Sequence, residues 1–317
     1  MVLWDEFEKV STSDWLKKAN IDLKGNKRAE DFKYQVCDGL ECSPFLTEGD
    51  VISVKPIYGT STKSGVHILT DQPSTANSKA MSMLSYGAEA LSFVIYDTWD
   101  LDILFDNIYL DMVSVILKVK GNIELVRNKV HDYVQKYYSG KSTNIIIISA
   151  QEKHGPGLHL KYEQTVADRL LLVKDYFKEI SLDTSTSATI IVLDLKKDFL
   201  AQIAELRAIR KSIELYKTSH PEMKSDILLI SQIHPDVYNS EQIHPLIISN
   251  YLIMSSYLGR SDFSFGVSFE DDEEAARLCL NIQHIFKEES SLGHVSDPVA
   301  GSYIIEKLTE QMLNLLE

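Results

Sequence analysis

Two places in the chain carry side chains whose types and spacing suit chemistry. The first is Ser149-Ala150-Gln151-Glu152-Lys153-His154-Gly155-Pro156-Gly157, directly after the four isoleucines Ile145 to Ile148. It sets a carboxylate, Glu152, two residues from an imidazole, His154, on a glycine-bearing loop. Either group could serve as a general acid or base, and a loop of this composition is equally an ordinary solvated turn. The second is Phe199 to Arg210, FLAQIAELRAIR, where Arg207 and Arg210 stand three apart and share a helix face. Paired guanidiniums there suit a phosphate contact or an internal ion-pair network. His159, His234 and His244 sit in no metal-ligand spacing and read as polar surface. The three cysteines, Cys37, Cys42 and Cys279, form no CxxC pair, which fits a reducing cytoplasm and buried or idle thiols. The phosphate-cradling patterns GxGxxG and GxxxxGK[ST] do not occur.

The elements that must position these groups alternate. Helix candidates at Asn77 to Glu89, Leu101 to Phe105, Ile123 to Tyr138, Tyr162 to Ile180, Phe199 to Tyr216, Leu246 to Leu258 and Glu273 to Ser290 are interleaved with apolar strand candidates. Those strands run over Ala90 to Tyr96, Met112 to Val119, Asn144 to Ser149, Ala188 to Leu193, Ile227 to Ile233 and Phe263 to Phe269. Buried strands alternating with helices imply a parallel α/β sheet, and the isoleucine strand is apolar enough for a sheet covered on both faces. From residue 76 onward, about 240 residues suit a (β/α)8 TIM-type barrel. Six clear strands and two weak ones keep a doubly wound open sheet as the alternative. Residues 1–75 read as an arm: a helix over Asp5 to Leu23 capped by Ser11 or Ser13, then an Asp38-Gly39 hairpin signal between Phe32 and Phe45.

The C-terminal stretch Asn281 to Thr309 reads as a helix face (Ile282, Ile285, Phe286), a helix end at Gly293, and a rigid turn through Ser296, Asp297, Pro298 and Gly301. A further helix follows from Lys307 to Leu316. Gly301 is expected to permit close backbone approach. The composition, 44% hydrophobic with a net charge of −14, is that of a globular protein and argues against nucleic-acid and anionic-membrane partners. No apolar run approaches the ~18 residues of a membrane span, and the acidic N-terminus lacks the plan of a signal peptide.

Several of these segments resemble the methylmalonyl-CoA mutase family. Glu288, Glu289, Ser290, Leu292, Gly293, Val295, Asp297, Pro298, Gly301, Ser302, Tyr303, Glu306, Leu308 and Thr309 match the signature EESxLGxVxDPxxGSYxxExLT that ends the family's barrel. Trp15 to Gly25, with Gly39, Glu41, Pro44 and Phe45, is similar to the opening of its small subunits. Phe199, Ile203, Ala204, Leu206, Arg207, Ala208 and Arg210 match its FFxEIAKLRAAR helix. Met254, Ser255, Leu258 and Gly259 match its RTTxEAMSAxLGG helix.

The resemblance implies a degenerate (β/α)8 barrel at 76–317 and an arm at 1–75 that wraps a partner. It also shows departures. Glu152 stands where the family's SGYHxxEAGA histidine would bond the thioester carbonyl, and an ionised carboxylate would repel that oxygen. Ile248 and Leu252 replace an arginine and the glutamate that holds the adenosyl group, as core filling a disused cavity would. The tyrosine loop RxYAGF has only Pro56-Ile57-Tyr58-Gly59 as a poor counterpart, with Tyr58 read as packing in the arm. The cobalamin motif DxHxxG does not occur.

The resemblance therefore implies a catalytically silent, small-subunit-like protein of an isomerase family. It would pair as a heterodimer with a catalytic large subunit that carries adenosylcobalamin and interconverts (R)-methylmalonyl-CoA and succinyl-CoA. Two alternatives stay open. One is an active acyl-CoA isomerase that borrows a cobalamin domain in trans, with Glu152 or His154 as its acid/base group and Arg207 and Arg210 on coenzyme A phosphates. The other is a stand-alone small-molecule-binding barrel.

Overall fold

A computed structural model describes residues 10–37, 39–50, 56–57, 59, 61–149, 153–154, 157–180, 188–223, 225–239, 243–269 and 273–316. The arm opens with helix α1 (Thr12–Asp22). Its N-terminus is closed by a capping box in which the Ser11 hydroxyl accepts from the Asp14 amide at 3.2 Å. An antiparallel pair follows, β1 (Tyr34–Cys37) and β2 (Leu40–Cys42), with Gly39 at φ +82° in the connection. Leu40 and Cys42 join the core of the same chain, and the Tyr34 hydroxyl donates to Asp198. The exposed helix α1 buries no side chain.

Eight parallel strands make the barrel: β3 (Lys63–Ile68), β4 (Ala90–Tyr96), β5 (Ser114–Lys120), β6 (Ile145–Ser149), β8 (Gly157–Leu160), β9 (Ala188–Leu195), β10 (Asp226–Ile233) and β11 (Phe263–Gly266). Helices α2 (Pro73–Ser85), α3 (Leu101–Leu104), α4 (Ile123–Tyr137), α5 (Val166–Glu179), α6 (Phe199–Ser219), α7 (Pro245–Leu258) and α8 (Glu273–His284) follow successive strands. Helix α9 (Tyr303–Leu316) packs on α5 and α6. The strand order is β6-β5-β4-β3-β11-β10-β9-β8, so the first and last barrel strands pair side by side. This is the nearly closed TIM-type barrel expected, rather than an open doubly wound sheet.

The seam falls between β6 and β8. The short antiparallel β7 (Lys153–His154) lies there against β8. Across the seam the Ile148 side chain approaches the Gly157 backbone: a Cβ on Gly157 would lie 3.0 Å from Ile148 Cγ2. The seam explains one departure from the sequence reading. The isoleucine strand was expected to be covered on both faces, yet Ile145, Ile146 and Ile147 are only half-buried, because β6 ends the strand order and has a hydrogen-bonded neighbour on one side alone among the described residues. Two strands were also unforeseen. β3 lies inside the stretch read as arm, and β8 inside the stretch read as loop.

Alternate residues of each strand point to the axis. There Ala90, Ile116, Ile148, Ile190, Val192, Ile230, Phe263 and Phe265 form one apolar cluster that fills the barrel. The outward residues build two larger cores, one under α2 to α4 and one under α5 to α7 and α9.

The C-terminal stretch differs in detail from expectation. Helix α8 runs on as a π-turn, Ile285–Glu289, and ends when the Leu292 amide reaches the Phe286 carbonyl at 3.0 Å. Ser291, not Gly293, takes the left-handed conformation at φ +55°. Gly293 is needed for space instead, since a Cβ there would sit 3.3 Å from Lys287 and from Ser61. Gly301 has the opposite role to the one expected. It meets nothing within 4 Å but has φ +84°, so its requirement is conformational.

Candidate functional site

Above the apolar filling of the axis, six of the strands carry an inward-facing polar residue. His67 comes from β3, Ser92 from β4, Lys118 from β5, His159 from β8, Asp194 from β9 and Gln232 from β10. They share the C-terminal mouth of the barrel, where loops and strand ends of this fold class hold ligands. A cleft of about 510 Å³ opens over them, bordered at its lip by Lys120, Asp71 and His234.

The chamber is wired by hydrogen bonds. The Lys118 ammonium donates to the Gln232 amide oxygen, and the Gln232 amide nitrogen donates to Asp194. His159 Nε2 lies 3.0 Å from the same Asp194 oxygen, and the Tyr162 amide donates to the other at 3.1 Å. His67 Nδ1 is 2.9 Å from the Ser92 hydroxyl. Burial alone would raise the Asp194 carboxyl, but His159, Lys118 and Gln232 outweigh it and hold the group well below the usual carboxylate range. Burial pushes the Lys118 amine down to about 8, with Asp194 opposing. Burial and the nearby Lys118 charge hold His67 far below the ordinary imidazole value, so it is neutral at pH 7. The chamber thus offers one anchored carboxylate, one buried ammonium and one buried neutral imidazole.

The residues singled out in the sequence lie elsewhere or in other roles. Glu152 and Tyr58 fall outside the described residues. The backbone of His154 belongs to β7, and its side chain is outside the described set. Arg207 is fully buried in α6, where Nη2 donates to Glu306 at 2.6 Å and Nη1 to Asp297. Asp297 also accepts from the Ile57 amide at 2.9 Å, and Lys211 approaches Glu306 at 3.4 Å. The Asp-Pro turn of the C-terminal stretch is therefore tied to α6 and to the chain leading into β3. Arg210 donates to the Arg260 carbonyl at 2.7 and 3.0 Å and to Asp262 at 2.7 Å. Both guanidiniums serve the internal ion-pair network that their spacing allowed.

The three histidines were read as polar surface, which fits exposed His244 and needs correcting for His159. His159 belongs to the chamber, with its side chain only 18% exposed. His234 and His244 accept the Asp236 and Leu246 amides at helix N-termini, and His234 stacks on Tyr162 with ring centres 5.3 Å apart. Folding also brings Glu163, His234 and Asp236 together at the rim, with ligand atoms within 4.8 Å of one another, a grouping hidden by their separation in sequence. Cys42 and Cys279 are buried free thiols. Ile248 and Leu252 on α7 are fully buried in the outer core.

The signal for the chamber was present in the sequence. GVHIL, VILKV, LHL and VLDL each carry one polar residue near the end of an apolar strand, and ISQI carries two. Singly each is bland; the strand order makes them one site.

A family model described as methylmalonyl-CoA mutase matches residues 267–316. The methylmalonyl-CoA mutase of Rhizobium meliloti (strain 1021) is 26% identical over 186 residues, covering 53% of this chain and 25% of that protein. The aligned stretch thus spans a quarter of the relative's length. The matched C-terminal segment contains Asp297 and Glu306, the two carboxylates that hold Arg207.

Proposed function

We propose that this relative of the methylmalonyl-CoA mutases is a catalytically silent barrel subunit, supporting a separate adenosylcobalamin-dependent chain that interconverts (R)-methylmalonyl-CoA and succinyl-CoA. The observation that carries the reading is the complete burial of Ile248 and Leu252, at positions where the resemblance places an arginine and an adenosyl-holding glutamate. Residues of this kind do not fit an adenosyl group, because neither offers it a hydrogen bond. The filled barrel axis adds support, since Ile116, Ile190, Ile230 and Phe265 leave no passage for an extended thioester. The exposed α1, with no buried side chain of its own, is the surface we assign to the catalytic partner.

The test is to incubate the purified chain with adenosylcobalamin and methylmalonyl-CoA, alone and with a catalytic mutase chain. Co-elution of the two chains on size exclusion and no turnover by this chain alone are expected. Succinyl-CoA formation above blank by the isolated chain would overturn the reading.

A further inference from the structure

The mouth of the barrel holds two polar groups that their own chain leaves incompletely served. Lys118 is 4% exposed, and among the described residues its ammonium makes a single hydrogen bond, to an amide oxygen; its negative neighbour Asp194 is engaged by Gln232, His159 and the Tyr162 amide. An ammonium so buried is costly unless an acceptor meets its remaining N–H groups. His67 is 7% exposed, and beyond Ser92 at Nδ1 it has no hydrogen-bond partner among the described residues. When the Ser92 hydroxyl donates to Nδ1, the ring proton sits on Nε2, the nitrogen left over. Both side chains line the 510 Å³ cleft.

One ammonium and one N–H donor facing a cavity match the two oxygens of a carboxylate. They supply too few donors for a phosphate group, which has more oxygens to satisfy. His67, Leu69 and Pro235 also border a second cavity of about 440 Å³ beside α2 and α8, where Val66, Met83, Val267 and Phe269 give an apolar lining.

We propose that the C-terminal mouth of the barrel binds a small aliphatic carboxylate, with its oxygens on the Lys118 ammonium and His67 Nε2 and its chain directed toward the cavity beside α2 and α8. This site is independent of the subunit role proposed above and would operate whether or not a catalytic partner is bound. Ligand binding holds Lys118 protonated. The other titratable groups around it are His67 on β3, His159 on β8 and Asp194 on β9, with Asp71, Lys120 and His234 at the lip. Of these, Asp194 is already ionised and His67 already neutral at pH 7, so the amine governs the alkaline side.

The probe is butyrate, titrated calorimetrically into the full chain, with butyramide as the uncharged isostere. Saturable binding of butyrate and none of butyramide are expected at pH 7. Because the free amine titrates near 8, affinity should be about tenfold weaker at pH 9 than at pH 7. Lys118→Met should abolish binding, and His67→Leu should weaken it at least several-fold. Absence of butyrate binding, equal binding of butyramide, or undiminished binding by Lys118→Met would overturn the proposal. Should Lys118→Met fail to fold, the wild-type pH profile decides: affinity unchanged from pH 7 to pH 9 refutes the site.

Discussion

Replacing Arg207 by methionine isolates the energetics of the buried junction between α6 and the C-terminal stretch. The guanidinium is fully buried and neutralises two carboxylates, Asp297 and Glu306, that are themselves nearly inaccessible. Methionine roughly fills the volume but leaves both carboxylates in the interior. Asp297 keeps the Ile57 amide and the field of nearby Arg260, and Glu306 keeps Lys211 at 3.4 Å. Removing one member of a buried ion network costs about 3–5 kcal/mol, because the stranded charge cannot be resolvated without opening the structure. The wild-type network is not ideal, since Arg207 Nε has no partner, so a loss near about 3 kcal/mol is the better expectation. With a urea dependence of about 3 kcal/mol per M for a chain of this size, the midpoint should fall by roughly 1 M. Adding Asp297→Asn and Glu306→Gln to Arg207→Met should recover most of the loss, since the cost lies in unpaired charge rather than in missing contact. Equilibrium urea denaturation followed by far-UV circular dichroism measures both. A single variant within about 1 kcal/mol of wild type, or a triple variant no better than the single, would refute the account.

Other outcomes follow from the same structure. Gly65→Ala places a Cβ 2.5 Å from the Phe265 ring and 3.1 Å from the Ala90 carbonyl, so it should lower stability by about 1–3 kcal/mol in thermal melts. Ser291→Gly relieves a left-handed serine and should stabilise by about 1 kcal/mol, whereas Gly301→Ala, at φ +84°, should destabilise by a similar amount. The depressed Asp194 carboxyl contributes stability that is present above the unfolded value near 3.8 and lost as pH falls below it; Asp194→Asn should lose that part of the acid dependence. Lys118 has the opposite bearing on the alkaline side. Its burial costs stability at neutral pH, and the cost fades between about 8 and the unfolded value of 10.5, so the stability difference between wild type and Lys118→Met should shift by about 3 kcal/mol across that range.

The alternation of apolar strands and helices made most of the barrel legible, because a buried parallel strand needs a continuous apolar run and a crossover helix needs a periodic one. What failed had local causes. β3 is short and follows an irregular arm, so KSGVHI blended into it; β8 has only four residues. Gly293 looked like a helix end because glycine usually is one, but a π-turn shifted the termination two residues earlier and placed the strain on Ser291. Arg207 and Arg210 were found by their helical spacing, though spacing could not say that their partners sit 90 and 52 residues away. The chamber was missed for a different reason. His67, Lys118, His159, Asp194 and Gln232 are each isolated in sequence, and a polar residue among apolar ones carries no label for the axis it faces. Their relation exists only once the strands are ordered around the barrel.

The pairing of β3 with β11 has a kinetic consequence. Lys63 is in register with Phe263 and its amide donates to the Asp262 carbonyl, so the two halves of the sheet are joined through contacts some two hundred residues apart in the chain. Strands β3 to β6 can assemble through neighbours close in sequence, and so can β8 to β11, but docking the halves requires closing a very long loop. During synthesis the N-terminal half must therefore wait with the β3 edge unpaired, an exposed strand edge of the sort that invites association. Refolding is expected to show a slow phase set by that docking, lengthened by Gly65→Ala at the β3–β11 contact and little altered by substitutions in α4. A single fast phase in stopped-flow refolding would show instead that the barrel closes in one step.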